Sequence, residues 1–206
     1  MNKKILIIGN SANAYSLAKK LSADNEIFVI PESDSLKEFA TCIDIRENSI
    51  NEILEFVMEN DIDLTIPISI ESINSNIVEV FQKNNLPIFG PTKTSSEGLF
   101  NKLLAKKLLY KLRIPTPKFG IFEKENMALD YVKNTKSPFV IKTKNNSDTV
   151  ILTSKNIAKN IINTIFLQKG EKVLIEDYIQ GTSFNFYIIT DGYKALPFDS
   201  KYSIIG

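Results

Sequence analysis

The fold is decided by the segment Lys4-Ile5-Leu6-Ile7-Ile8-Gly9, near the amino terminus of the chain. Five residues without apolar–polar alternation before a glycine are typical of a strand that is buried on both faces. Strands of this kind occur mainly in parallel sheets that carry helices on both sides. The segment therefore predicts an α/β fold that begins with a parallel sheet.

Strand-like and helix-like segments alternate along the rest of the first half. Ser49 is predicted to cap one amphipathic helix, and Ser72 is predicted to open the next. Further strands are predicted at four places: Glu26–Ile30, Thr41–Ile45, Leu64–Pro67 and Leu86–Phe89. This alternation indicates a Rossmann-like parallel sheet of about four or five strands over residues 1–92.

Gly90-Pro91 ends this pattern, and Ser95 or Ser96 is predicted to cap a long helix that runs to about Leu112. Beyond Pro115 and Pro117, the sequence predicts a smaller α+β unit: strands over 118–122, 139–142, 149–152 and 172–177, helices over 125–133 and 155–165, and a hairpin over 184–196. We therefore expect three parts, namely a domain over 1–92, a linker helix over 93–116, and a unit over 117–206.

Composition restricts the partners of the chain. The 206 residues carry 25 Lys+Arg against 24 Asp+Glu, so the formal net charge is +1. No general positive field attracts nucleic acid or an anionic membrane. Because we find no apolar run near the ~18 residues of a membrane span and no signal-peptide pattern, we expect a cytoplasmic protein.

The chain has no histidine and a single cysteine, Cys42. The lack of histidine excludes Ser-His and Cys-His nucleophile pairs and typical zinc sites. Cys42 lies in a strand-like run, and packing is the favoured interpretation for it. Chemistry must therefore depend on carboxylates, lysines, backbone N–H groups and a cofactor, and ATP suits that set.

Gly9 follows the first strand, where dinucleotide-binding proteins carry a glycine-rich fingerprint. The second and third glycines of that fingerprint are missing, although Glu32 follows the second strand. The favoured interpretation is that Gly9 serves a tight turn between strand and helix.

Three segments carry residues that could bind an anion or a nucleotide. Lys142 ends an apolar strand, where a lysine can face either a phosphate or solvent. Lys102 and Lys106 lie one helical turn apart, and two cations so placed repel each other unless an anion lies between them. Glu176 and Asp177 end a buried strand, which could offer its backbone to an adenine edge or simply expose two acids.

These residues belong to an ordered series of short motifs along the whole chain. The series comprises Ile8–Asn10, Asp63–Ile66, Ile88–Thr92, Lys102, Ile114–Thr116, Val140–Lys142, Ile175–Tyr178, Gly181, Asp191–Gly192 and Leu196–Pro197. In order and spacing it resembles the first half of an ATP-grasp ligase, most closely the glycinamide ribonucleotide synthetase (phosphoribosylamine–glycine ligase) family.

The resemblance implies an ATP-dependent carboxylate–amine ligase of purine biosynthesis that uses phosphoribosylamine, glycine, ATP and Mg²⁺. It implies a Rossmann-like domain followed by an ATP-grasp lid subdomain, with the ATP-grasp core incomplete. Lysines at the places of Lys102 and Lys142 contact ATP phosphates in that family. The adenine pocket is lined there by residues that match Glu176, Asp177, Tyr178 and Ile179. No catalytic residue and no metal ligand is assigned.

The sequence also departs from the family pattern. Positions 11–15 lack the family's two glycines, Arg, Glu and His, and the loop over 143–148 after Lys142 contains no glycine. Ser183 stands where a ribose-binding Glu is expected, and no segment matches the magnesium ligands. We therefore expect weak ATP binding and no useful ligation by this chain alone. The alternative is a non-catalytic remnant that binds a nucleotide or a partner.

An incomplete ATP-grasp core would leave an open edge after Leu196. We expect Tyr202, Ile204 and Ile205 to be exposed there, and that surface would favour self-association or a second chain that completes the core.

Overall fold

The computed structural model describes residues 2–143, 149–169, 172–182, 184–197 and 201–202. The chain divides into two compact units, Met1–Ala105 and Lys106–Gly206. None of the helices within the described ranges is long and apolar enough to cross a membrane.

The first unit is an α/β domain. Its elements are β1 Lys4–Ile8, α1 Ala12–Leu21, β2 Glu26–Ile30, β3 Thr41–Cys42, α2 Ile50–Glu59, β4 Leu64–Pro67, α3 Ile70–Asn74, α4 Ile77–Lys83 and α5 Lys93–Phe100. The strands form a parallel sheet in the order β3-β2-β1-β4, and Ile88 adds a single parallel bridge to Thr65. The predicted Rossmann-like sheet is confirmed.

The central strand β1 explains why the opening segment is apolar throughout. Leu6 and Ile8 pack into one core cluster, which includes residues of α2 and α4. Ile5 and Ile7 pack into a second cluster, which includes residues of α1. Helices therefore cover both faces of the sheet, and a polar residue within β1 would have to be buried without water.

The turn after β1 depends on Gly9. Its φ is +132°, a region that side chains disfavour, and an added Cβ would lie 3.2 Å from the backbone nitrogen of Ser69. Its N–H donates to the carbonyl of Ile30 at 2.6 Å. The interpretation of Gly9 as a turn residue is thus confirmed. Cys42, at the end of β3, is half-buried and donates its Sγ–H to the carbonyl of Ser33.

Three predictions about the first unit were wrong in detail. Ser49 precedes α2 but makes no capping hydrogen bond through its side chain. Ser72 lies inside α3, whose cap is Ser69, and Asn76 in the left-handed region (φ +61°) separates α3 from α4. The third strand ends at Cys42, short of the predicted Ile45.

The predicted long helix after Gly90 is two helices, α5 and α6 (Lys102–Lys111). Thr92 caps α5 by accepting from the backbone N–H of Ser95, so neither Ser95 nor Ser96 is the cap. Asn101 is extended at φ −127°, ψ 102°, which breaks the helix. Its Oδ1 accepts from the N–H groups of Leu103 at 3.1 Å and Leu104 at 3.3 Å and so caps α6.

The second unit is an α+β arrangement. Its elements after α6 are β5 Phe119–Phe122, α7 Glu125–Asn134, β6 Phe139–Lys142, β7 Thr149–Leu152, α8 Lys155–Thr164, β8 Val173–Asp177, β9 Phe184–Asn185, β10 Ile188–Thr190, β11 Ala195–Pro197 and β12 Lys201–Tyr202. The antiparallel sheet has the order β5-β8-β6-β7, and α7 and α8 pack on one face of it. This sheet is separate from the parallel one, so the prediction of two sheets is confirmed.

The predicted hairpin forms over a shorter range than expected. Strand β10 pairs with β11 around the turn Asp191-Gly192, whereas β9 pairs with β12. The predicted exposure of Tyr202, Ile204 and Ile205 concerns side chains outside the described residues. The loop over 144–148 and Ser183 also lie outside them.

Candidate functional site

Three charged side chains meet on one face of the antiparallel sheet. Lys142 of β6 forms an ion pair with Glu176 Oε1, and Lys106 Nζ of α6 lies 2.7 Å from Glu176 Oε2. The side chains of Glu176 and Lys106 are 5% and 11% exposed, whereas that of Lys142 is 24% exposed. We call these three residues the lysine–glutamate cluster.

The strand register explains why two members of the cluster meet. Glu176 lies opposite Val140, and Lys142 lies opposite Leu174, so the two charged residues are diagonal neighbours on adjacent strands. Side chains alternate along a strand, and Ile141 and Ile175 point into the core under α7 and α8. Lys142 and Glu176 therefore share the opposite face of the sheet.

Lys106 reaches the same carboxylate from a helix. Its ammonium also donates to the hydroxyl of Thr116 and lies 5.6 Å from the centre of the Phe119 ring. A lysine can be buried at this depth because the acid, the hydroxyl and the aromatic face replace the water that it loses.

The two ammonium groups set the charge state of Glu176. Burial on its own would raise the pKa of Glu176, but the ion pairs with Lys106 and Lys142 outweigh burial and hold that pKa below its usual range. The contact between Glu176 Oε2 and Lys106 is an ion pair, and no hydrogen bond of good geometry reaches that oxygen from the described residues. The two lysines and one glutamate of the cluster therefore carry one excess positive charge, and Glu176 Oε2 can still accept a hydrogen bond.

The structure brings together only some of the residues predicted for the site. Lys142 and Glu176 are in direct contact. Tyr178 and Ile179 follow β8 directly and are 38% and 66% exposed. Asp177 alternates to the other face of β8, where it lines a cleft of about 440 Å³ that Tyr131 also lines.

Lys102 is the first residue of α6 and lies in the first unit, whereas Lys106 is the helical lysine whose ammonium contacts Glu176. The spacing of Lys102 and Lys106 suggests a nearby anion without identifying it, and the structure shows that Glu176 pairs with Lys106. The buried strand that carries Glu176 as its last residue but one contained the needed signal, because an acid buried in such a strand requires a cation nearby.

The described residues contain no group of three or more His, Cys, Asp or Glu placed to hold a metal ion. In the first unit, the acidic Glu71 accepts a hydrogen bond from Asn48 Nδ2 at 2.8 Å.

Two family models match consecutive parts of the sequence. The model described as phosphoribosylglycinamide synthetase, N domain, matches residues 3–97, and the model described as phosphoribosylglycinamide synthetase, ATP-grasp (A) domain, matches residues 100–202. The chain belongs to the phosphoribosylglycinamide synthetase family.

Curated relatives agree with this assignment. A phosphoribosylamine–glycine ligase of Clostridium acetobutylicum is 28% identical over 209 aligned residues, which cover 96% of this chain and 50% of that protein. One of Fusobacterium nucleatum is 30% identical and covers 96% of this chain and 49% of that protein. The chain thus spans about half the length of the curated relatives it matches.

The fold is that of ATP-grasp ligases. The crystal structure of a phosphoribosylamine–glycine ligase from Thermotoga maritima superposes with a TM-score of 0.78 at 17% identity, over 96% of this chain and 49% of that one. An N5-carboxyaminoimidazole synthetase from Staphylococcus aureus, solved in complex with ADP, gives a TM-score of 0.72 at 13% identity. The superposition covers 98% of this chain and 55% of that one. The predicted fold class is confirmed, with about half of the ligase fold represented in this chain.

Proposed function

We propose that this chain is the nucleotide-binding half of an ATP-dependent carboxylate–amine ligase of the phosphoribosylamine–glycine type, which serves purine biosynthesis. The observation that carries the proposal is the lysine–glutamate cluster, formed by motif residues in a chain that belongs to the phosphoribosylglycinamide synthetase family. The nucleotide would supply the phosphoryl group that activates the glycine carboxylate, and the amine of phosphoribosylamine would then displace that phosphate.

Lys142 is the proposed phosphate ligand of the second unit. Its side chain is 24% exposed at the end of β6, so its ammonium can meet an anion that approaches the sheet. The excess positive charge of the cluster suits a phosphate, and a hydrogen-bonded buried carboxylate keeps the lysine stem in a defined position. Lys102 at the start of α6 is the proposed phosphate ligand of the first unit.

The segment over Glu176, Asp177, Tyr178 and Ile179 is the proposed adenine-binding strand. Tyr178 and Ile179 are exposed directly after β8, so the chain offers apolar side chains and backbone at the edge of the same sheet face. A flat ring bound by apolar contacts and a few backbone hydrogen bonds is the usual pattern of such pockets.

Among the described residues, no group of three or more His, Cys, Asp or Glu is placed to hold a metal ion. The function proposed for this chain is therefore binding of the nucleotide by lysines and backbone, and no step is assigned to a metal.

Calorimetric titration with ATP tests the site. We expect weak binding by the wild-type protein and loss of that binding in Lys142→Ala, because the variant lacks the exposed ammonium of the cluster. Lys133→Ala is the matched control, since Lys133 pairs with Asp130 on α7 and both side chains are largely exposed. Equal heats for wild type and Lys142→Ala would remove Lys142 from the site.

A second candidate is a nucleotide-binding protein that does not ligate. It is favoured by the lack of a metal-binding group among the described residues and by the replaced residues at positions 11–15. Phosphoribosylamine, glycine, ATP and Mg²⁺ supplied to the purified chain, with ADP release as the readout, test whether the chain ligates without a further polypeptide. Turnover of about 1 per second, which is ordinary for enzymes, would show that the chain ligates by itself.

We also propose that the chain acts in the cytoplasm and that its hairpin β10–β11 contacts another polypeptide, either a second copy or a chain that completes the ATP-grasp core. The described side chains of both strands are exposed, and an isolated two-stranded hairpin is marginal in water. Light scattering of the purified chain across a concentration series tests self-association.

A further inference from the structure

The two lysines of the cluster are held very differently. Lys106 is 11% exposed and is fixed from three sides, by Glu176, by the hydroxyl of Thr116 and by the ring of Phe119. Lys142 is 24% exposed and meets Glu176 at the end of a strand. Lys106 is therefore the more enclosed partner of the carboxylate, and Lys142 is the more exposed one.

We propose that Lys106 is a positioning residue for Lys142, since it keeps Glu176 paired when the ammonium of Lys142 turns from the carboxylate to a phosphate. This inference rests on the proposed nucleotide site at Lys142. Lys106 itself does not touch the nucleotide in this arrangement, because its ammonium is enclosed by the three groups named above.

The reason is the cost of leaving a buried charge unpaired. A carboxylate that is 5% exposed cannot be hydrated by bulk water, so it must keep a cation partner. With Lys106 present, Glu176 retains an ion pair while Lys142 binds the anion. Without Lys106, each phosphate contact by Lys142 would withdraw the remaining ammonium of the cluster from Glu176.

Two effects follow for Lys106→Met, which keeps the length of the side chain and removes the charge. First, Glu176 should hold Lys142 more tightly in the nucleotide-free protein. Second, ATP should bind about tenfold more weakly, a typical coupling between members of one charge network. Adding Glu176→Gln to this variant should restore most of the affinity, because a neutral amide no longer retains Lys142.

Amine labelling tests the first effect without any nucleotide. The rate at which acetic anhydride modifies Lys142 can be followed by mass spectrometry in the full chain, with Lys133 as the internal reference. We expect Lys142 to react several-fold more slowly in Lys106→Met, because Glu176 then has Lys142 as its only partner in the cluster and holds that ammonium more tightly. It should react faster than wild type in Glu176→Gln. Lys107→Met is the matched control, because Lys107 is exposed on the same helix.

The outcomes separate the inference from the proposed function. If wild type and Lys106→Met bind ATP equally well, Lys106 is only structural and the inference is overturned. The inference is also overturned if adding Glu176→Gln to Lys106→Met does not restore ATP affinity. If Lys106→Met does not fold, Glu176→Gln decides: unchanged labelling of Lys142 overturns the inference, and faster labelling of Lys142 supports it. If labelling shifts as expected but wild type binds no ATP, the proposed nucleotide site fails and the positioning role fails with it, whereas the pairing of the cluster stands.

Discussion

Lys106 Nζ lies 2.7 Å from Glu176 Oε2, and the two side chains are only 11% and 5% exposed. The lysine comes from helix α6 and the glutamate from strand β8, so the pair fixes α6 to the antiparallel sheet. Because both groups are withdrawn from water, each depends on the other for its charge to be tolerated.

Replacing Lys106 by Met should lower the free energy of unfolding by about 3 kcal/mol, because removal of one partner leaves a buried charge with poorer compensation. Urea denaturation followed by circular dichroism measures the change. Lys133→Met is the control, since Lys133 and Asp130 are 74% and 68% exposed and such pairs add little stability. Equal loss in both variants would show that burial of the Lys106–Glu176 pair has no special role.

The stability contributed by Glu176 should depend on pH in one direction. The pKa of this carboxyl is lowered in the folded protein from its ordinary value of 4.5. A lowered pKa means that the unfolded chain binds the proton first, so the contribution is complete above about pH 4.5 and is lost as the pH falls through the folded value.

Comparison of wild type with Glu176→Gln isolates this effect from the exposed carboxyls Asp34, Asp63 and Glu123, whose pKa values are also lowered. The difference in free energy of unfolding between the two proteins should be constant near neutral pH and shrink below about pH 4.5. A difference that grows on acidification would contradict the assignment of Glu176 as an ionised partner.

The sequence predicted the parallel sheet because its signal is local. The run Lys4–Ile8 is apolar at every position after the first, and the structure buries that strand between two layers of helices. The lysine–glutamate cluster is not local. Most helical lysines are solvated, and the burial of Lys106 depends on Thr116, Phe119 and Glu176, which only the folded chain brings around it.

The break between α5 and α6 is a second feature that the sequence did not predict. Residues 93–111 read as one helix because no proline interrupts them, and their single glycine, Gly98, lies inside α5 and not at the break. The break occurs at Asn101, whose side chain accepts hydrogen bonds from the first N–H groups of α6. An asparagine can also lie inside a continuous helix. Composition alone does not distinguish these two uses of an asparagine.

Asn101→Ala should therefore destabilise the chain by about 1 kcal/mol, because the N–H groups of Leu103 and Leu104 lose their acceptor. Thermal unfolding measures the change. Ser49→Ala is the matched control: Ser49 also precedes a helix, but its side chain makes no capping hydrogen bond. The prediction is wrong if the two substitutions shift the midpoint equally.

Among alanine substitutions at Gly9, Gly192 and Gly181, Gly9→Ala should be the most destabilising. It should lower the free energy of unfolding by about 1–3 kcal/mol. The φ of Gly9 is +132°, and a Cβ there would also press to within 3.2 Å of the Ser69 nitrogen. Gly192 has a φ of +91° but no heavy atom within 4 Å of an added Cβ, so Gly192→Ala tests backbone strain alone. Gly181 has neither feature, and Gly181→Ala should be neutral or slightly stabilising. Urea denaturation of the three variants gives the order of stabilities, and a Gly9→Ala protein as stable as Gly181→Ala would refute the turn role of Gly9.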